Sequence, residues 1–245
     1  MIRVEGISHH FGSMQVLHDV WFHVPEGEVF GFIGPNGAGK TTTLRMMATL
    51  LEPAQGRILV GGYDVVERPV DVRRILGFMP DGFGVYERVT VWEYLEFFAA
   101  CYGLHGQKRR KVVGDVLDLT DLGYKAKAEV NGLSRGMQQR LSVARVLLHD
   151  PKVLLMDEPA SGLDPRARIE IRELLKELRR MGKTIIISSH ILHELAELCN
   201  AVAIVEKGQL LFNGSVAEIM RRAGTGRVVH VRVEGLQVRH PVVPG

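Results

Sequence analysis

The sequence predicts an α/β fold: a mostly parallel sheet covered by helices, with a further block of helices inserted along the chain. Three observations predict it. Short apolar runs at Val153–Met156, 184–188 and 201–205 have the composition of strands buried on both faces, and residues 166–181, between the first two, read as an amphipathic helix. A glycine-rich turn separates a strand at Val29–Ile33 from a helix at 41–51. From about residue 89 to 149 the spacing is helical, with Val91, Leu95 and Phe98 sharing one face and Val112, Val116 and Leu119 another.

In chain order, residues 3–7, 19–24 and 29–33 are strand candidates, separated by the turn signals Phe11-Gly12-Ser13 and Pro25-Glu26-Gly27. The helix at 41–51 follows, then a strand at 56–61, a charged stretch and an apolar run at 75–79. After the helical block and the three late strands the pattern weakens. Beyond Met220 only residues 228–233 alternate like a strand, and no partner strand is visible.

The composition excludes several classes. Hydrophobic residues make up 46% of the 245-residue chain and charged residues 24%, as in ordinary globular proteins. A formal charge of +3 and a densest basic cluster of only Lys108 to Lys111 argue against nucleic acid. Two cysteines, Cys101 and Cys199, form neither a disulfide framework nor paired metal-ligand spacing, which fits a reducing compartment. The start lacks the layout of a secretion signal, and no stretch approaches the ~20 apolar residues of a membrane span, so no direct membrane insertion is expected.

Gly34-Pro35-Asn36-Gly37-Ala38-Gly39-Lys40-Thr41 is a phosphate-binding loop. Its glycines let successive backbone N–H groups point at phosphate oxygens, and the helix behind it turns its positive end to the same anion. Lys40 brings a cation to the β/γ-phosphates, and the Thr41 hydroxyl is suited to Mg²⁺. Val153–Met156 ends in Asp157 and Glu158, where an open α/β sheet places its chemistry. Asp157 is the candidate for holding Mg²⁺ and Glu158 for deprotonating the attacking water. Ser134 can cap a helix through Gln138 to Leu148, and Gly136 leaves its backbone open to close approach, which makes a second helix start suited to an anion. On its own, His190 reads as a histidine at a strand end or, with His193, as a metal-like pair.

Leu133-Ser134-Arg135-Gly136-Met137-Gln138-Gln139-Arg140 resembles the signature motif of the ABC ATPases, and it lies between the phosphate loop and the acidic strand in that family's order. Ser161-Gly162-Leu163-Asp164-Pro165 is similar to the loop that couples the two sites of the family's dimer; His190 resembles its switch histidine, and Phe11 its adenine-stacking aromatic. The resemblance implies a P-loop NTPase core with a mostly parallel sheet, an N-terminal antiparallel β subdomain and an inserted helical subdomain. It covers about residues 2–220. The implied division is a nucleotide-binding unit at 1–220, its helical subdomain at about 85–149, and an extension of unassigned role at 221–245.

The resemblance further implies an ATPase coupled to transport, using ATP and Mg²⁺, in which two such subunits close head to tail around two ATP. Lys40, Glu158 and His190 would be catalytic. Phe11, Gly34, Asn36, Gly37, Ala38, Gly39, Lys40, Thr41 and Thr42 of one subunit, with Ser134 and Gly136 of the other, would hold the nucleotide. Thr41, Asp157 and Asp81 would face the metal. The expected partners are a second ATP-binding subunit and a transmembrane permease, which would keep the chain on the cytoplasmic face of the membrane. The loop at 81–88 and the helix after it, with Trp92, Tyr94, Phe97 and Phe98, form either the permease groove or, for three of these aromatics, subdomain core. This segment looks most like export-associated subunits.

Two positions depart from the family pattern. Asp81 stands where a glutamine is usual, and Met137 where the signature motif usually has glutamine. Asp81 is expected either to keep the metal-sensing role with altered geometry or to point away and serve the partner interface. The alternative reading is a soluble ABC ATPase acting on a non-transport partner such as ribosomes.

Overall fold

The computed structural model describes residues 1–224, except 83, 85, 86, 193, 194 and 196, and except the side chains of 220 and 222–224. The alternation at 228–233, the extension from 225 on, His193 and part of the loop at 81–88 lie outside the described residues.

The chain opens with β1 (Ile2–Phe11), β2 (Met14–Val24) and β3 (Val29–Ile33), then α1 (Lys40–Met47), β4 (Gln55–Val60), β5 (Tyr63–Asp64), α2 (Pro69–Ile75) and β6 (Leu76–Met79). Three helices follow, α3 (Val91–Cys101), α4 (Gly106–Leu119) and α5 (Arg135–Leu147), inserted between β6 and β7 (Val153–Met156). The chain continues through α6 (Pro165–Arg180), β8 (Thr184–Ser189), β9 (Ala201–Glu206), β10 (Gln209–Ser215) and α7 (Val216–Gly224).

Two sheets result. The first is antiparallel, in the order β2-β1-β4-β5; the second runs β10-β9-β3-β8-β7-β6, parallel except for its edge strand β10. The parallel strands explain their own composition. Successive side chains of a strand point to opposite faces, and both faces here are covered. Val153 and Leu155 of β7 join a core shared with α1 and the antiparallel sheet, whereas Leu154 and Met156 join one shared with α3, α4, α5 and α6. Every residue of β7 is therefore apolar.

Local signals set the ends of several helices. Thr90 and Glu93 form a reciprocal capping box at the start of α3, Thr90 N–H donating to Glu93 Oε2 at 2.9 Å. Asp164 Oδ1 accepts from Ala167 N–H at 2.9 Å ahead of Pro165, the first residue of α6.

Several bounds differ from those expected. The first two strands are longer than the runs at 3–7 and 19–24, because bulges in β1 carry its pairing with β2 past interruptions in the apolar pattern. The charged stretch before residue 75 contains α2, whose single fully buried side chain, Val72, leaves little periodicity to detect. The helical stretch at 89–149 divides at Gly103 and at the turns around 123–132 into three helices. Among the described residues no helix is long and apolar enough to cross a membrane.

Candidate active site

β3, β7 and β8 lie side by side in the parallel sheet, so their carboxyl ends open onto one edge. β3 delivers the loop 34–39, β7 delivers Asp157 and Glu158, and β8 delivers Ser188, Ser189 and then His190. Sheet order thus collects residues that are up to about 150 positions apart.

The loop needs glycine where the backbone is forced. Gly39 has φ 99°, in the left-handed region, and immediately precedes α1. A Cβ on Gly34 would lie 2.2 Å from the Val205 carbonyl oxygen, so β9 packs directly on the loop's first residue. Lys40 is buried and turns back over the loop, donating to the carbonyls of Gly34 at 2.7 Å and Pro35 at 3.2 Å. Its Nζ also lies 3.3 Å from Glu158 Oε1.

The two acidic residues have different surroundings. Asp157 is buried and accepts from the Thr41 hydroxyl at 2.7 Å on Oδ2 and from the Ser188 hydroxyl at 2.6 Å on Oδ1. Ser188 Oγ in turn accepts from Glu158 N–H at 2.8 Å. Glu158 itself has φ 50°, a conformation that costs a non-glycine residue strain and is held here by that contact. Its carboxylate is bracketed by Lys40 on one oxygen and His190 Nδ1, at 2.9 Å, on the other.

An open cleft beside this network is lined by Phe11, Met14, Val16, Asn36, Gly37, Gly39, Lys40, Thr41, Thr42, Asp81 and Glu158. Nine of these are candidate residues from the sequence. Asp157 and His190 adjoin the cleft through their bonds to Thr41 and Glu158, and Ala38, buried behind it, accepts from Gly208 N–H at 3.2 Å. Partial desolvation, and then the charges of Asp157 and Glu158, push the exposed Asp81 carboxyl upward from its ordinary pKa; Arg135 and Lys40 oppose the shift.

Ser134 and Gly136 are not among the residues lining this cleft. Ser134 caps α5, its hydroxyl accepting from Met137 N–H at 3.4 Å. The space beside Gly136 is taken by α6: a Cβ there would come 2.8 Å from Ala167 Cβ. The missing side chain lets two helices touch, a reason different from the open backbone expected.

Ser188 is a polar centre that no sequence motif marks. It reads as the end of an apolar strand, and only the sheet brings its hydroxyl between Asp157 and Glu158. Two hydroxyls at the end of a run of isoleucines were the available signal. Met14 and Val16, which line the cleft beside Phe11, carried no signal of their own.

The family model for ABC transporters matches residues 17–161. The chain is 39% identical over 207 residues to the ABC transporter ATP-binding protein NatA of Bacillus subtilis (strain 168), covering 84% of each chain. It is 40% identical over 214 residues to the Nod factor export ATP-binding protein I of Rhizobium sp. (strain N33), covering 87% of this chain and 70% of that one. Among solved structures, cbiO1 from Clostridium perfringens, described as part of the ABC transporter complex cbiONQ, superposes with a TM-score of 0.84 at 28% identity, over 91% of this chain and 92% of that one. A glycine-rich loop, an acidic strand end and a strand-end histidine meeting at one sheet edge, in a chain with these relatives, make this protein a member of the ABC transporter family, an ATP-binding subunit that hydrolyses ATP.

Proposed function

We propose that this chain is the motor of a membrane export system, closing head to tail with a second ATP-binding subunit around two ATP and driving a separate transmembrane permease from the cytoplasmic face. The observation that carries the reading is the division of the site. Lys40, Thr41, Asp157, Glu158 and His190 are linked in one network, while Ser134 lies outside the cleft they border. A helix start with a capping serine and no place in its own chain's cleft suits the nucleotide of a partner. The name of the Nod factor export protein supports export, and the place of cbiO1 in the cbiONQ complex supports work beside other subunits.

In this reading the loop's N–H groups and Lys40 grip the β- and γ-phosphates, and Phe11 carries the adenine. Glu158 accepts a proton from a water that attacks the γ-phosphorus; the bond to the β-phosphate oxygen breaks and ADP leaves with that electron pair. His190 holds Glu158 in place. Ser188, bonded to both acidic residues, positions them relative to each other. The donor set fits Mg²⁺, since the Thr41 hydroxyl and the Asp157 carboxylate already meet at 2.7 Å and Asp81 lines the same cleft. When bound, the metal would neutralise phosphate charge. Residues 1–220 would form the nucleotide-binding unit, with the helical subdomain at about 85–149 facing the permease and 221–245 as an accessory extension. Of the aromatics in α3, Tyr94 is buried, Trp92 and Phe98 pack partly against the core, and Phe97 is exposed, which leaves Phe97 as the side chain best suited to a partner.

The test is ATP turnover by the wild type and by Glu158→Gln, with oligomeric state followed by light scattering in the same samples. Glu158→Gln is expected to lose on the order of 10²–10⁴-fold in turnover and to accumulate as an ATP-bound dimer. Unchanged turnover would remove Glu158 from the chemistry, and a variant that stays monomeric with ATP would overturn the head-to-tail arrangement.

A further inference from the structure

His9 is a buried side chain that neither the fold nor the proposed chemistry accounts for. It is only 8% exposed, and among the described residues neither ring nitrogen has a hydrogen-bond partner. Two unpaired polar atoms out of contact with water are costly, and leucine or phenylalanine would fill a core position on this strand without that cost. What His9 touches is specific. Its ring meets Phe11 edge to face, with centroids 4.7 Å apart and planes at 80°, and lies 6.2 Å from His10. Phe11 is 51% exposed and lines the nucleotide cleft, so its ring is otherwise held by little on its open side.

We propose that His9 is a positioning residue for nucleotide binding, a neutral imidazole that fixes the Phe11 ring at the angle at which it receives the adenine base. This rests on the reading of Phe11 as the base platform. An edge-to-face aromatic pair adds attraction beyond buried area because the positive ring edge meets the negative ring face. A platform already locked in one rotamer loses less freedom when the base arrives, so affinity improves without new contacts to the nucleotide.

The charge state of His9 matters to the arrangement. Burial, and then the positive charge of His10, push its pKa down, so it stays neutral near neutral pH. The paired positions opposite this stretch are Leu17 and Gln15 on β2 and Gln55 on β4. Those strands also carry His18, Asp19, His23 and Arg57, but among the described groups only His10 acts on His9. Protonation would place a cation in the buried site with no carboxylate among the described groups to meet it.

The experiment compares KM for ATP, kcat and the binding of a fluorescent ATP analogue for the wild type, His9→Ala, His9→Phe and Phe11→Ala at pH 7.5. His9→Ala is expected to weaken ATP binding about threefold to tenfold at pH 7.5, with kcat nearly unchanged. His9→Phe keeps an aromatic edge against Phe11, so it should bind ATP like the wild type. Circular dichroism and urea melts of the same variants separate a binding loss from poor folding, and His9→Phe carries the test if His9→Ala does not fold. If Phe11→Ala weakens binding while His9→Ala does not, or if His9→Phe loses as much affinity as His9→Ala, the role of His9 is overturned. If Phe11→Ala binds ATP normally, the platform reading itself fails.

Discussion

Gly136 carries two demands at the scale of one residue. It belongs to the segment that resembles the signature motif, and its missing Cβ also lets α5 meet α6 at Ala167. Adding a methyl would normally favour a helix by up to ~1 kcal/mol over glycine, but here the new carbon would sit 2.8 Å from Ala167 Cβ. The clash wins, since a packed core yields only by shifting its neighbours. Gly136→Ala is expected to lower unfolding stability by about 1–2 kcal/mol in urea melts, with most of the loss recovered by adding Ala167→Gly. Failure of the second change to restore stability would show that the contact is not the cause. Among the candidate site residues, Lys40, Asp157 and Glu158 were legible in the sequence because each sits in a motif of neighbouring residues. Ser188 was not, because its partners, Asp157 and Glu158, are about 30 residues away.

Between elements, a few polar contacts join the helices to one another and to the parallel sheet. Arg140 on α5 is buried and donates to the Asp121 carboxylate at 3.1 Å, beyond the end of α4, with Glu170 of α6 3.6 Å away. The Arg135 guanidinium, at the start of α5, fills the space beside Gly162 in the loop before α6. His149, just past α5, bonds through Nε2 to the Leu76 carbonyl of β6 at 3.0 Å and stacks on Tyr102, at the end of α3, with centroids 4.2 Å apart. A carbonyl only accepts, so that nitrogen carries the proton. Burial, assisted by Lys183, pushes the His149 pKa down, and the bond to Leu76 and the charge of Asp150 only partly offset it. The folded chain therefore prefers the neutral ring. Above the ordinary histidine pKa both states are neutral and the group has no effect; as pH falls below about 6.5 the unfolded chain takes up a proton that the folded chain resists, and stability drops. Between pH 7.5 and 5.5 the wild type should lose more stability than His149→Phe, as read from urea midpoints; equal losses would remove His149 as the cause. Periodicity made α3, α4 and α5 visible in outline, whereas α2 escaped because one buried residue sets no pattern.

At the scale of the whole molecule, the proposed assembly makes a prediction that no single chain can satisfy. A subunit lacking Lys40 keeps a working signature helix, and a subunit with Ser134 replaced by a bulky acid keeps a working phosphate loop. Each alone should be inactive as a homodimer. Mixed, they should form heterodimers with one intact composite site, restoring roughly a quarter of wild-type turnover if the chains pair at random and the sites act independently. Lys40→Ala mixed with Ser134→Glu, assayed for ATP hydrolysis against each alone, checks this. No gain on mixing would argue that each chain hydrolyses ATP by itself.

By itself the sequence determined the class of fold, the glycine-rich loop, the acidic strand end and the family, because each is written in neighbouring residues whose spacing the backbone enforces. Glycines at a forced turn, apolar residues on a strand covered on both faces, and a cap before a helix follow from local geometry. Only the tertiary structure decided which distant groups meet. The order β3-β8-β7 brought Lys40, Glu158, Ser188 and His190 together, and the meeting of α5 with α6 gave Gly136 its packing role. Side-chain contacts across a fold depend on sheet order and helix packing, which are set by the whole core and not by any one stretch of the chain.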